Sequence, residues 1–249
     1  MPKAIKGYLV LSIVAVCILI AASPSSSDIL IQTGFEEDDI GEIPQEPPDT
    51  WQASGGGFEV DNSRVKEGSK SLGVMGGQGN QGLGALFETQ SQVITAEFWL
   101  YVDGAERSLT VYIQDPNTGL TNWGAAGPYV NWIGGKVRHY PGAWEEIGVF
   151  TSEEWHYVRL VVNTGDSAFD FYAGDTVAEV HSGKPLGEGL GFRSAIAGPA
   201  GKVCFGTYDT VTPSYIDNLL IYEGDVLPEG IFAIQPEDGL TITWGKVKE

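Results

Sequence analysis

Residues 153–172 read EEWHYVRLVVNTGDSAFDFY, and the order of side chains within them decides the fold. Tyr157, Arg159, Val161 and Asn163 fall on one side of a two-residue period, and Val158, Leu160 and Val162 fall on the other. After the polar run 163–167, Phe169, Phe171 and Ala173 take the same period up again. A strand turns successive side chains to opposite faces. Alternation broken by turn formers therefore predicts a hairpin in which each strand offers one face to a core.

The rest of the chain agrees with that reading. Its 249 residues include 34 glycines, and aromatic residues make up 11%. Long runs of strong helix formers are missing, a mixture that suits one large all-β domain of many strands joined by tight turns better than two small domains. The formal net charge of −19 argues against a nucleic-acid partner, because phosphate binding depends on clustered Lys and Arg. An acidic exterior is expected to keep such a domain soluble and monomeric.

Residues 1–27 read as a signal peptide. Lys3 and Lys6 give a basic start, Tyr8 to Ala22 is an apolar run short for a membrane span, and small residues follow at 21–25. Export to the medium or the cell surface is expected, with no stable span left after cleavage. A lipid anchor at Cys17 is not expected, since Val16 stands where a small residue is wanted. Losing Lys3 and Lys6 takes the net charge to about −21. Cys204 is then the lone cysteine, without an internal disulfide partner, and reads as a buried apolar residue.

Along residues 28–223 the alternation predicts strands at 29–32, 58–62, 70–75 and 84–88, then a hairpin of 92–102 and 108–115 across Asp103-Gly104. A second hairpin joins 130–133 to 136–140 across Gly134-Gly135, a dipeptide that permits the positive φ of a two-residue turn. Further strands are expected at 176–182, 191–197, 202–208 and 214–223, with no helix. Residues 224–249 read as an extension in which Trp244 either docks or belongs to a tether.

Trp155, a β-branched strand, a polar turn and Phe169-x-Phe171-Tyr172 together resemble the Trp-containing hairpin of the concanavalin A-like and laminin G-like jelly rolls. Phe35-Glu36-Glu37, Trp51 and Gly68-Ser-Lys-Ser-Leu72 are similar to the opening of many carbohydrate-binding sandwiches of that superfamily. The resemblance implies a jelly-roll β-sandwich of two antiparallel sheets that binds a polysaccharide or glycan. It also implies a structural Ca²⁺ held by Glu36, the backbone around Ser69 and Asp217, since carboxylate and carbonyl oxygens suit a hard cation. The same superfamily contains protein-binding adhesion domains, polysaccharide lyases and hydrolases, which stand as alternatives.

The residues themselves favour binding over catalysis. The one-strand Glu-x-Asp-x-x-Glu arrangement of the laminarinase branch does not occur, and there is no nucleophile elbow, phosphate loop or His/Cys metal spacing. A lyase would have to draw on Arg138, His139 and Tyr140, of which only Arg138 and Tyr140 share a strand face. In contrast, residues 116–144 place Trp123, Tyr129, Trp132, Tyr140 and Trp144 among Gly, Pro and Asn, where turns rather than strict alternation set the backbone. These rings are expected to stack on sugars, with Asn122, Asn131 and Arg138 donating hydrogen bonds.

Overall fold

The computed structural model describes residues 27–231 apart from 78, 105, 107–108, 209–211 and 230. The expected leader, Cys17 and Trp244 lie outside the described residues. In chain order the strands are β1 (Ile29–Thr33), β2 (Trp51–Ser54), β3 (Phe58–Asp61), β4 (Ser71–Val74), β5 (Asn80–Leu86), β6 (Val93–Val102) and β7 (Leu109–Gln114). A single 3₁₀ turn (Trp123–Ala125) precedes β8 (Tyr129–Ile133), β9 (Lys136–His139), β10 (Glu145–Val149), β11 (Trp155–Asn163) and β12 (Ala168–Gly174). A short helix α1 (Val177–Ser182) then leads to β13 (Gly187–Gly191), β14 (Lys202–Tyr208) and β15 (Ser214–Glu223).

The strands form two antiparallel sheets packed as a sandwich, consistent with a jelly roll. The first has the order β13-β12-β11-β6-β15-β4-β3 with β1 beside β15, and the second the order β10-β9-β8-β7-β14-β5-β2. The hairpin that opened the sequence reading is β11–β12, with Leu160 opposite Phe171 and Val162 opposite Phe169. Its apolar faces join Ala96, Phe98 and Leu100 of β6 against Leu83, Val111, Trp132 and Phe205 of the other sheet. Edge-to-face contacts cross the gap: Phe98 meets Phe205 with ring centres 5.7 Å apart, and Trp132 meets Phe171 at 5.9 Å.

Several expectations differ from the structure. β6 and β7 do not pair: β6 lies between β11 and β15, and β7 between β8 and β14. The chain passes from one sheet to the other after β6, and an inward face looks the same in sequence whether its partner lies beside it or across the sandwich. Residues 176–182 form α1 rather than a strand, because Thr176 and Glu179 make a reciprocal capping box and Gly183 follows the last turn. The strand expected at 191–197 ends at Gly191, and β10 was not expected at all. In β15 the alternation slips at Asn218, whose φ of 50° accompanies a bulge. Ile216, Leu219 and Ile221 thereby all reach the core.

The outer face of the first sheet is held by a buried carboxylate. Glu97 on β6 is fully buried, accepts from Tyr222 Oη (2.7 Å) and Tyr157 Oη (2.5 Å), and forms an ion pair with the Arg159 guanidinium (Nε, 3.0 Å), with His181 Nε2 of α1 at 3.0 Å. Arg159 also donates to Asp225 O, so one carboxylate ties β6, β11, β15, α1 and the end of the domain together. Burial pushes its pKa up, but the bonds from His181, Tyr157 and Tyr222 outweigh it and hold the carboxyl below its ordinary value of 4.5. The stabilisation is then complete above that ordinary value and is lost as pH falls through the lower folded value. Glu97→Gln is expected to lose about 1.5–3 kcal/mol at neutral pH, with urea-melt stabilities of the two proteins converging in acid.

Candidate functional site

On the second sheet Val130, Trp132, Val137 and His139 face the core, which turns Tyr129, Asn131, Arg138 and Tyr140 outward. The turn between β8 and β9 has positive φ at both Gly134 (65°) and Gly135 (72°), as expected for that dipeptide. Register places Tyr129 beside Tyr112 and Asn131 between Thr110 and Arg138. Cys204 and Gly206 of β14, and Gly82 and Gly84 of β5, continue the same outer face.

Half of this face is closed by the segment 115–126. Tyr112 Oη donates to Leu120 O, Gln114 Nε2 to Asn122 O (2.9 Å) and Lys202 Nζ to Thr118 O (2.6 Å). The close approach depends on glycine: a Cβ on Gly84 would lie 2.6 Å from Leu120 Cδ2. Cys204 beneath the segment is fully buried, and burial pushes its thiol well above the usual range. It is an inert packing residue, in agreement with the sequence reading.

The other half carries a continuous run of rings. Ring centres are 6.3 Å apart for Tyr112 and Trp123, 6.2 Å for Trp123 and Tyr129, 5.6 Å for Tyr129 and Trp144, and 5.1 Å for Tyr140 and Trp144. Within the run Tyr112 and Tyr129 are buried, Trp123 and Tyr140 are half-buried, and Trp144 is 45% exposed. Arg193 stacks over both Tyr129 (4.8 Å) and Tyr140 (4.7 Å), and Arg138 lies 5.8 Å from the centre of Trp144. Burial raises the Tyr129 phenol above its usual range although Arg193 opposes the shift, which leaves it a hydrogen-bond donor rather than a base.

Five of the six residues expected to bind ligand thus assemble on one face, and Trp132 does not. It is 1% exposed and fills the space between the sheets, because its strand alternates strictly and Tyr129 and Asn131 take the outward positions. Asn131 is also occupied, donating to Leu109 O and Thr110 Oγ1, both at 3.0 Å. His139 faces the core against Phe169, so Arg138, His139 and Tyr140 do not converge as a lyase would need. Arg193 is not among the expected residues, because its segment predicts a strand and no local pattern marks it. Trp132→Ala is expected to lose about 3–5 kcal/mol in chemical unfolding, whereas Trp144→Ala should lose less than about 1.5 kcal/mol.

The residues expected around Ca²⁺ meet at the loop 64–70 but are bonded to other donors. Glu36 accepts from Ser69 N (2.8 Å), Ser69 Oγ (2.6 Å) and Lys70 N (3.0 Å). Asp217 accepts from Lys66 N (2.9 Å), Glu67 N (3.0 Å) and Asn218 N (2.8 Å). Lys70 Nζ donates to Glu36 O (2.8 Å) and Asp38 O (2.5 Å), setting its ammonium on carbonyl oxygens of the kind a calcium ion would use. Among the described residues no group of three acidic, His or Cys side chains could hold a metal. This donor set does not fit a calcium clamp, since the carboxylates face N–H groups and a cation is already supplied by Lys70. Excess EDTA is expected to leave the melting temperature unchanged, while Lys70→Met should lower it by a few degrees in calorimetry.

No protein-family model matches this chain, and no curated protein matches it either. Solved structures do. A sialidase superposes with a TM-score of 0.53 at 16% identity over 71% of this chain, which spans only 17% of that protein. The carbohydrate recognition domain of Emp47p superposes at 0.51 with 11% identity, covering 82% of this chain and all of that one. The cellulose-induced protein Cip1 superposes at 0.50 with 13% identity, covering 79% and 98%. At such identities the likeness is one of fold.

Proposed function

We propose that the domain is an exported carbohydrate-binding module that holds a glycan on the open half of its second sheet, with Trp144 and Tyr140 as the stacking surface and Arg138 beside them. The observation that carries this reading is the exposed indole of Trp144 at the end of a packed aromatic run. Sugar rings present apolar C–H faces that stack on indole and phenol rings, while their hydroxyls need donors at the rim. A ring already braced by Tyr129 and Tyr140 loses little freedom on binding. Two of the structural neighbours bear names in keeping with this role, a carbohydrate recognition domain and a sialidase.

The reading is binding without turnover. Glu145 and Glu146, the carboxylates on β10, are engaged with His139 (3.1 Å) and Lys136 (2.6 Å), and the nearby phenol of Tyr129 is held protonated by burial. Affinity electrophoresis on a panel of polysaccharides tests it. A single stacked ring contributes about 0.5–1.5 kcal/mol, so Trp144→Ala and Tyr140→Ala should each weaken retardation by roughly 2–10-fold with the fold intact. Unchanged retardation in both variants would move the site elsewhere. Release of reducing ends or of unsaturated uronate from any polymer would overturn the non-catalytic reading.

A further inference from the structure

The cations at this face are unusual for the chain that carries them. Lys and Arg number 14 against 33 Asp and Glu, and only five residues are arginine. Among the described residues Arg64 pairs with Asp103 and Arg159 with Glu97. The other two described arginines, Arg138 and Arg193, have no described carboxylate within ion-pair distance, and both lie on the Tyr129–Tyr140–Trp144 cluster. The Arg138 Nε is in addition buried without a hydrogen-bond acceptor. In so acidic a chain, two guanidinium groups left unpaired at one aromatic patch constitute a local anion-binding surface.

Resting on the carbohydrate reading above, the geometry points to an acidic polysaccharide as the ligand, with uronate carboxylates received by Arg138 and Arg193. The Arg138 guanidinium lies over the Trp144 ring with its centre 5.8 Å from the ring centre, within reach of the C6 substituent of a pyranose held against that indole. The planar fork of a guanidinium matches a carboxylate with two parallel N–H bonds, and a lysine in its place would not. Arg193 reaches the same cluster at Tyr140, where a neighbouring uronate of the polymer would meet it. Glu146 stands opposite Arg138 in the β9–β10 ladder, but its carboxylate is engaged by Lys136 at 2.6 Å, and Glu145 is engaged by His139.

The test is affinity electrophoresis and calorimetry of the purified full chain with polygalacturonate and alginate. The same polymers after carboxyl reduction, neutral xylan, and heparin as a sulfated polyanion provide the comparison arms. Uronate polymers are expected to bind about tenfold or more tightly than their reduced forms. Arg138→Gln and Arg193→Gln should each remove most of that difference, and Arg64→Gln, in the loop between β3 and β4, should not. Should Arg193→Gln unfold the chain by freeing Tyr129 and Tyr140, Arg193→Lys keeps the charge over the rings and still loses the fork, so a fall in uronate affinity is again expected. Equal binding of reduced and uronate polymers, unchanged affinity in the arginine variants, or binding of heparin alone would overturn the assignment. Binding confined to neutral glycans would leave the carbohydrate reading standing without it, and binding to none of the polymers would remove both.

Discussion

The burial of Trp132 between the two sheets is the constraint from which the candidate site follows. Its indole packs edge-on against Phe171 of the opposite sheet, and its neighbours Val130 and Val137 fill the same layer. A strand has only two faces, so holding Trp132 inward forces Tyr129 and Asn131 outward on β8. Cross-strand register then sends Arg138 and Tyr140 outward from β9. A slip of one residue would reverse the whole set, placing a guanidinium in the core and the indole in water, and the cost of that exchange keeps the register single-valued.

Two other devices decide which parts of the sheets stay open. Across the second sheet, Gly82 and Gly84 leave a shallow strip in which Leu120 of the segment 115–126 is seated, and Gly206 makes room for the Tyr112 ring. Over the first sheet, α1 delivers His181 to Glu97, and Lys66 covers the ring of Trp99 at 4.1 Å. On that face Tyr157 and Tyr222 are spent on one carboxylate and Trp99 is capped, while Trp155 and Tyr172 pack half-buried against them. Among the described residues Trp144 is the aromatic side chain left most exposed, and local occlusion rather than composition sets that contrast.

Fixed cations occupy two kinds of position in this acidic chain. Lys70 spans carbonyl oxygens of the turn after β1, a place where the wider superfamily resemblance suggests an ion. The ammonium of Lys70 satisfies those oxygens from within the chain. Arg138 and Arg193, in contrast, lie over rings and leave donors uncommitted to any carboxylate.

Strand alternation is a local property, and so the sequence by itself determined the all-β class, the β11–β12 and β8–β9 hairpins, the two faces of residues 157–163 and the inertness of Cys204. It also determined that Arg138 and Tyr140 share a face, since two residues apart on a strand is a statement about backbone geometry alone. Partnership is not local. Whether β6 turns back on itself or crosses to the other sheet leaves the same pattern of Phe98, Leu100, Leu109 and Val111, and only the tertiary structure distinguished them. Trp132 and Trp144 likewise look alike in a Gly- and Pro-rich run, and the opposite sheet decided that one is core and the other surface. The capping box at Thr176 and Glu179 was legible and overshadowed by β-branched neighbours, whereas Arg193 carried no sequence signal, because its position over Tyr129 and Tyr140 exists only once residues 64 positions apart in the chain are brought together.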